Sequence, residues 1–237
     1  MNQNGCRLPS VLAVAASVLA LSACSLMIPV GQMTSEERDI GEVSRVVLDT
    51  SGDLVVSEGE PALTVHAPEG AIDRLTSEVE GDTLVLGAEP GFTMGFGDVR
   101  YELTVPRLEL IQLTGSGDVE ATVSADGTVQ LDIDGSGDVD WSGISADRVE
   151  VRLSGSGDVT LTGSAAELSV DLEGSGSVDA EELEAQDAVV NLSGSGEVDV
   201  AARDSLSVDL SGSGQVTYSG DPSTDVRVSG SGDVERR

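Results

Sequence analysis

The sequence predicts an all-β solenoid, a parallel β-helix of about 18–20 residues per coil with an irregular N-terminal β cap. Three observations carry that expectation. Gly-Ser-Gly recurs seven times, and successive copies are 20, 20, 19, 20, 18 and 18 residues apart. Apolar residues alternate on both sides of each copy, the period-two signature of a strand with one buried face. Aromatic residues make up only 2% of a chain that is 39% hydrophobic. A compact globule draws on aromatics that bury roughly 150–250 Å² each, whereas stacked coils fill their interior with aliphatic columns.

The first element is an export signal. Arg7 is the only charge before the apolar run Val11 to Leu21, which is shorter than the roughly 20 residues a membrane-spanning helix needs. The run ends in Leu21-Ser22-Ala23-Cys24, which resembles a bacterial lipobox. That resemblance implies removal of signal peptide 1–23, acylation of the Cys24 sulfur by palmitate-like chains, and anchoring to a bacterial membrane. An ordinary secretory signal cut after Ala23 is the alternative. Cys6 lies in the signal, so the mature chain has one cysteine and no disulfide framework. Residues 24–35 are then the lipidated cysteine and a tether; the eleven residues after Cys24 span about 35–40 Å when extended.

Residues 36–113 read as the N-terminal cap. Val46-Val47-Leu48-Asp49-Thr50-Ser51-Gly52-Asp53-Leu54-Val55-Val56 is a degenerate strand–turn–strand unit, Leu63 to Val65 and Tyr101 to Val105 are further strands, and Gly81-Asp82 marks a hairpin. Residues 114–237 are the repeat. Its turn-forming glycines are Gly115 and Gly117, Gly135 and Gly137, Gly155 and Gly157, Gly174 and Gly176, Gly194 and Gly196, Gly212 and Gly214, and Gly230 and Gly232. Apolar pairs precede the corners (Leu131 and Ile133, Val151 and Leu153, Val170 and Leu172, Val190 and Leu192, Val208 and Leu210), and a valine follows each corner two residues on. Each repeat is thus expected to hold a strand, a tight corner, a second strand and a return of about six residues. Return signals include Asp126-Gly127, Ser142-Gly143 and Gly220-Asp221-Pro222. Seven coils stacked about 4.8 Å apart would make a prism on the order of 35 Å long. Stacked hairpins fit the period too, but the returns lack two-residue hairpin signals.

Ser51-Gly52-Asp53 with Leu54-Val55-Val56, the Gly81-Asp82-Thr83-Leu84-Val85 hairpin, and Leu103-Thr104-Val105-Pro106 leading into Leu113-Thr114-Gly115-Ser116-Gly117-Asp118-Val119 resemble the bacterial putative auto-transporter adhesin, head GIN domain family. The resemblance runs from about Arg38 to Val234. It implies a right-handed β-helix with Gly-Ser-Gly between its sheets and a role in adhesion at the cell surface. It brings no catalytic residues.

Charge narrows the function. With 43 acidic and 12 basic residues, all arginine, the net charge is −31. A nucleic-acid binder needs clustered basic side chains, and the absence of lysine removes Schiff-base and phosphate-loop chemistry. The residue after each corner is acidic at Asp118, Asp138 and Asp158, which would form a carboxylate ladder. A weak Ca²⁺ site on these three, joined by Asp132, Asp134 or Asp140, is the candidate cation site; the preference of Asp for turns accounts for the same residues. No catalytic residue and no other cofactor is assigned. A Ser–His–Asp hydrolase would depend on His66, the single histidine, far along the chain from the repeat serines. A carbohydrate-active β-helix would have only Trp141 and Tyr218 as repeat aromatics, both expected to face the core, and Arg148, Arg152 or Arg203 as a lyase base.

The expected function is therefore non-enzymatic. The sequence reads as an exported, lipid-anchored envelope protein, facing the outside of the cell or the periplasm, that works by adhesion or surface binding. Its partners would be the membrane, through lipid on Cys24, and a surface protein or glycan. A self-associating envelope scaffold, with homo-oligomers formed at the C-terminal coil, is the alternative; charged Glu235-Arg236-Arg237 would instead guard that edge.

Overall fold

The computed structural model describes residues 31–91 and 99–237. The predicted signal peptide 1–23 and the lipid-attachment residue Cys24 lie outside the described residues. The first strands are β1 (Met33–Arg38), β2 (Arg45–Leu48), β3 (Asp53–Glu58), β4 (Ala62–Pro68), β5 (Leu75–Glu80), β6 (Thr83–Ala88) and β7 (Arg100–Val105), with one 3-10 turn at Ile72–Arg74. The repeat supplies β8 (Leu110–Gly115), β9 (Val119–Ala125), β10 (Thr128–Gly135), β11 (Val139–Gly155), β12 (Asp158–Gly174) and β13 (Ser177–Gly194). It ends with β14 (Glu197–Gly212), β15 (Gln215–Ser219), β16 (Ser223–Gly230) and β17 (Asp233–Arg236).

From β8 onward every pairing is parallel, with the corners in register from coil to coil, so the chain is a solenoid of about six turns. Seven corners enclose six complete turns; the expectation of seven coils counted corners rather than the intervals between them. The Gly-Ser-Gly corner separates two ladders. One, before the corner, runs β5, β6, β2, β8, β10, the later halves of β11 to β14, and β16. The other, after the corner, runs β1, β4, β7, β3, β9, the early halves of β11 to β14, β15 and β17.

Alternation places every second residue inside. Before the corner, Val46, Ile111, Leu131, Val151, Val170, Val190 and Val208 form one column, none more than 1% exposed. Beside it stand Leu48, Leu113, Ile133, Leu153, Leu172, Leu192 and Leu210. Each such side chain contributes about 1.5–3 kcal/mol on burial, which is how a core with few aromatics holds together. Trp141 and Tyr101 are also fully buried, and the Trp141 indole N–H donates to the Val123 carbonyl at 3.2 Å. Trp141 therefore faces the core as its spacing predicts, and Tyr218 packs against that core.

The corner's composition follows from close stacking. A Cβ on Gly155 would lie 1.9 Å from the Gly135 carbonyl oxygen, and φ there is +140°. Gly157 has no such φ, yet a Cβ on it would lie 2.2 Å from the Gly137 oxygen. Both glycines are fixed by the carbonyls of the coil before; the serine between them points to water and donates its backbone N–H to the same column, Ser156 to Gly135 O at 3.1 Å.

The structure departs from expectation in three places. β1 starts at Met33 and pairs antiparallel with β4, so the predicted tether 24–35 runs into a strand. The return at Ser142-Gly143 is a register shift inside the continuous strand β11 rather than a loop, and β12 shifts likewise between Thr160 and Gly163, because their neighbours offer ladder partners there too. The cap is also more solenoid-like than predicted. β2 and β3 sit between β6 and β7 on one side and β8 and β9 on the other, all parallel, so the degenerate unit at 46–56 is a true coil. Only β4 and β5 run against the coils, and β1, antiparallel to β4, closes that end beside it.

Candidate functional site

With the interior filled by aliphatic columns, the outward side chains of the two ladders carry whatever the protein binds. After the corner, Asp118, Asp138 and Asp158 stand in one column, as the spacing predicts, and Asp53 of β3 continues it. Each carboxylate serves the next coil. Asp53 Oδ1 accepts from Asp118 N–H at 3.2 Å, Asp118 Oδ1 from Asp138 N–H at 3.1 Å, and Asp138 Oδ1 from Asp158 N–H at 2.9 Å. At the end, Ser177 Oγ donates to Asp158 Oδ1 at 2.7 Å. These bonds satisfy the first N–H past the corner, which gives the Asp column a structural cause. Among the described residues, no three His, Cys, Asp or Glu side chains are grouped to hold a metal ion. Asp132 and Asp134 lie on the other ladder, before the corner, away from this column.

His66 sits half-buried on β4 with its Nε2 3.3 Å from Glu102 Oε2. Its neighbours across the sheet are Ser35 and Arg100, not a corner serine. The three arginines considered as a lyase base are held by carboxylates: Arg148 by Glu167, Arg152 by Asp132 at 3.4 Å, and Arg203 by Glu184 at 2.8 Å. Exposed pairs of this kind contribute about 0–1 kcal/mol each. Shallow depressions lie between coils, one of about 300 Å³ beside Gln112, Asp132 and Arg152, another of about 320 Å³ beside Glu184, Arg203 and Asp221.

Sequence reasoning did not single out Tyr101 or Glu58 for their environments. Burial pushes the Tyr101 phenol up to about 12, against opposing pulls from the Thr50 hydroxyl and Arg38. The Ser124 hydroxyl and N–H hold the Glu58 carboxylate below its usual range. Both contacts cross from one coil to another, between residues far apart in the chain, so no local pattern announces them.

Two ladders of outward polar side chains, wrapped around a filled core, define a β-solenoid. The family model for the putative auto-transporter adhesin, head GIN domain matches residues 44–222, and the chain belongs to that family. Solved structures share the fold. A putative adhesin from Bacteroides fragilis superposes with a TM-score of 0.83 at 22% identity, covering 87% of this chain and 97% of that one. A putative lipid binding protein from Parabacteroides distasonis gives 0.71 at 26% identity, covering 87% and 97%. A putative adhesin from Parabacteroides merdae gives 0.67 at 16%, covering 87% and 98%. No curated protein matches the chain. Among the described residues, no helix is long and apolar enough to cross a membrane.

Proposed function

We propose that the protein is a non-enzymatic adhesin of the cell envelope, anchored by lipid on Cys24 and binding a surface protein or glycan through its outer ladders. The observation that carries this is the filled interior: ligand contact falls on broad, rigid, outward faces repeated at about 4.8 Å. Family membership points the same way. On the ladder after the corner, Asp118, Glu120, Asp138, Asp140, Asp158, Asp179, Glu197 and Asp199 alternate with buried residues. An anionic polysaccharide would be repelled there, so the partner is neutral or cationic. Membrane attachment in this reading rests on the lipid, because a chain of net charge −31 has no electrostatic affinity for anionic headgroups.

The test is attachment of cells of a non-adherent host displaying the full chain, compared with cells carrying Cys24→Ser. Gain of attachment that disappears with the cysteine, together with release of the protein from the membrane fraction, is the expected result. Equal attachment with and without the chain would overturn it.

A further inference from the structure

We propose that β16 is a self-pairing edge: two copies join end to end by laying β16 of one antiparallel against β16 of the other, with Asp225 opposite Arg227 in both directions. The inference goes beyond the adhesive reading, whose ligand contacts the outer ladder faces, by adding at the end of the solenoid a second copy carried on a facing membrane. It rests on that reading only for the facing membrane.

Four observations carry it. First, β16 continues the core columns but nothing covers it among the described residues. Val226 stacks on Val208 and Val228 on Leu210, yet Val226 is 41% and Val228 46% exposed where their column neighbours are 0%. Second, the ladder bonds alternate. Ser231 N–H goes inward to Gly212 O, so by the period of two the odd residues of β16 face β14, and Thr224, Val226 and Val228 turn N–H and C=O to the open side. An antiparallel register centred on Val226 places Val226 against Val226 and Thr224 against Val228, so those same open groups pair.

Third, the charges are self-complementary in that register. Asp225 and Arg227 both point outward, satisfying each other at 2.7 Å in the single chain, and their side chains are 64% exposed. Across the two-fold each meets its opposite, and Ser223 meets Ser229. Fourth, the other end strands are blunted. On β17, Arg236 occupies the inward column of Val200 and Tyr218, and is held by Asp221 at 3.1 Å; an inward charge at an edge discourages pairing. β1 presents Glu36 and Glu37, with Arg38 committed to the Ile72 and Leu75 carbonyls. β5 flanks its exposed Val79, 41% exposed, with Glu78 and Glu80, and like charges face each other when such a strand pairs with itself.

Position fits the role. The ladder after the corner has eleven strands from β1 to β17, roughly 48 Å at about 4.8 Å per step. The tethered N-terminus lies at one end and β16 at the other, so copies anchored in opposing membranes meet by these ends. A contact one strand wide is below the area of a stable interface, and many copies on each surface would strengthen it by avidity.

Sedimentation equilibrium of the full chain tests the pairing. Wild type is expected to show a concentration-dependent dimer. Arg227→Asp and Asp225→Arg each place like charges opposite one another and should weaken it about tenfold or more. An equimolar mixture of the two variants restores both opposite-charge pairs and should recover dimer. A wild type that stays monomeric at the highest soluble concentration, or a mixture no tighter than its components, overturns the proposal. Clustering of two cell populations that both display the chain separates the readings. Dimer in solution without attachment to any surface would remove the adhesive reading and leave the pairing; attachment by a strictly monomeric chain would do the reverse.

Discussion

The two ends of this solenoid solve the same problem differently. At the N-terminal end, β4 and β5 turn antiparallel and β1 pairs with β4, so Leu63, Val65 and Leu84 are no more than 1% exposed and the exposed valine is Val79 on β5, between Glu78 and Glu80. At the other end, β16 continues the same columns and leaves its valines nearly half exposed. A parallel stack has no intrinsic stop, since each coil offers the next an identical edge. Reversing strand direction ends it; a further parallel strand only moves the edge along. Stability per residue is therefore highest in the middle coils, where burial is shared with neighbours on both sides.

That comparison can be broken by substitution. The largest effect belongs to the corner. Gly155→Val drives a side chain into the Gly135 carbonyl and should cost about 3 kcal/mol or more by denaturant titration. Gly127→Ala, at φ +71° with nothing within 4 Å, should cost only about 1 kcal/mol. Leu153→Ala in a middle coil should cost about 2–5 kcal/mol, whereas Val228→Ala, in the same column at the open end, should cost less than about 1 kcal/mol. Equal losses at the two positions would show that β16 is covered.

Tyr101 distinguishes the N-terminal coils by pH. Burial favours the neutral phenol, so its contribution is complete below the ordinary tyrosine value near 10 and is lost as pH rises toward about 12. Over that window the folded state should lose about 2 kcal/mol, and Tyr101→Phe should flatten the alkaline limb of the stability curve. A smaller effect than that of Tyr101 falls on the Asp column. Asp138→Ala removes an acceptor from the Asp158 N–H and should cost about 0.5–1.5 kcal/mol, while Asp138→Asn keeps the acceptor and should be nearly neutral. A column built around a bound cation would instead lose Ca²⁺-dependent stabilisation with Asn as well.

The repeat was legible because its cause is local. Gly-Ser-Gly marks each corner, and Leu131-x-Ile133 or Val151-x-Leu153 marks the strand entering it. The inward place of Arg236 was legible by the same rule, since it falls two residues after Val234 as Trp141 does after Val139. The insertion of β2 between β6 and β8, and of β3 between β7 and β9, was not, because it joins segments 38 to 65 residues apart whose apolar patterns are interchangeable. The Asp column was visible as a spacing, but its bonds to backbone N–H groups depend on the stacking distance. The boundary at Met33 was hidden because Thr34-Ser35-Glu36-Glu37 has no apolar alternation; β1 is a strand only by pairing with β4.

Residue-resolved hydrogen exchange on the dilute full chain tests the contrast between the ends most directly. The amides of Thr224, Val226 and Val228 should exchange almost unprotected while those of Asp225 and Arg227 are slowed, and protection should be strong at Val170 and Val190. Raising the concentration should protect the three open amides. Protection along all of β16 in the dilute chain, equal to that of β12, would contradict an open end.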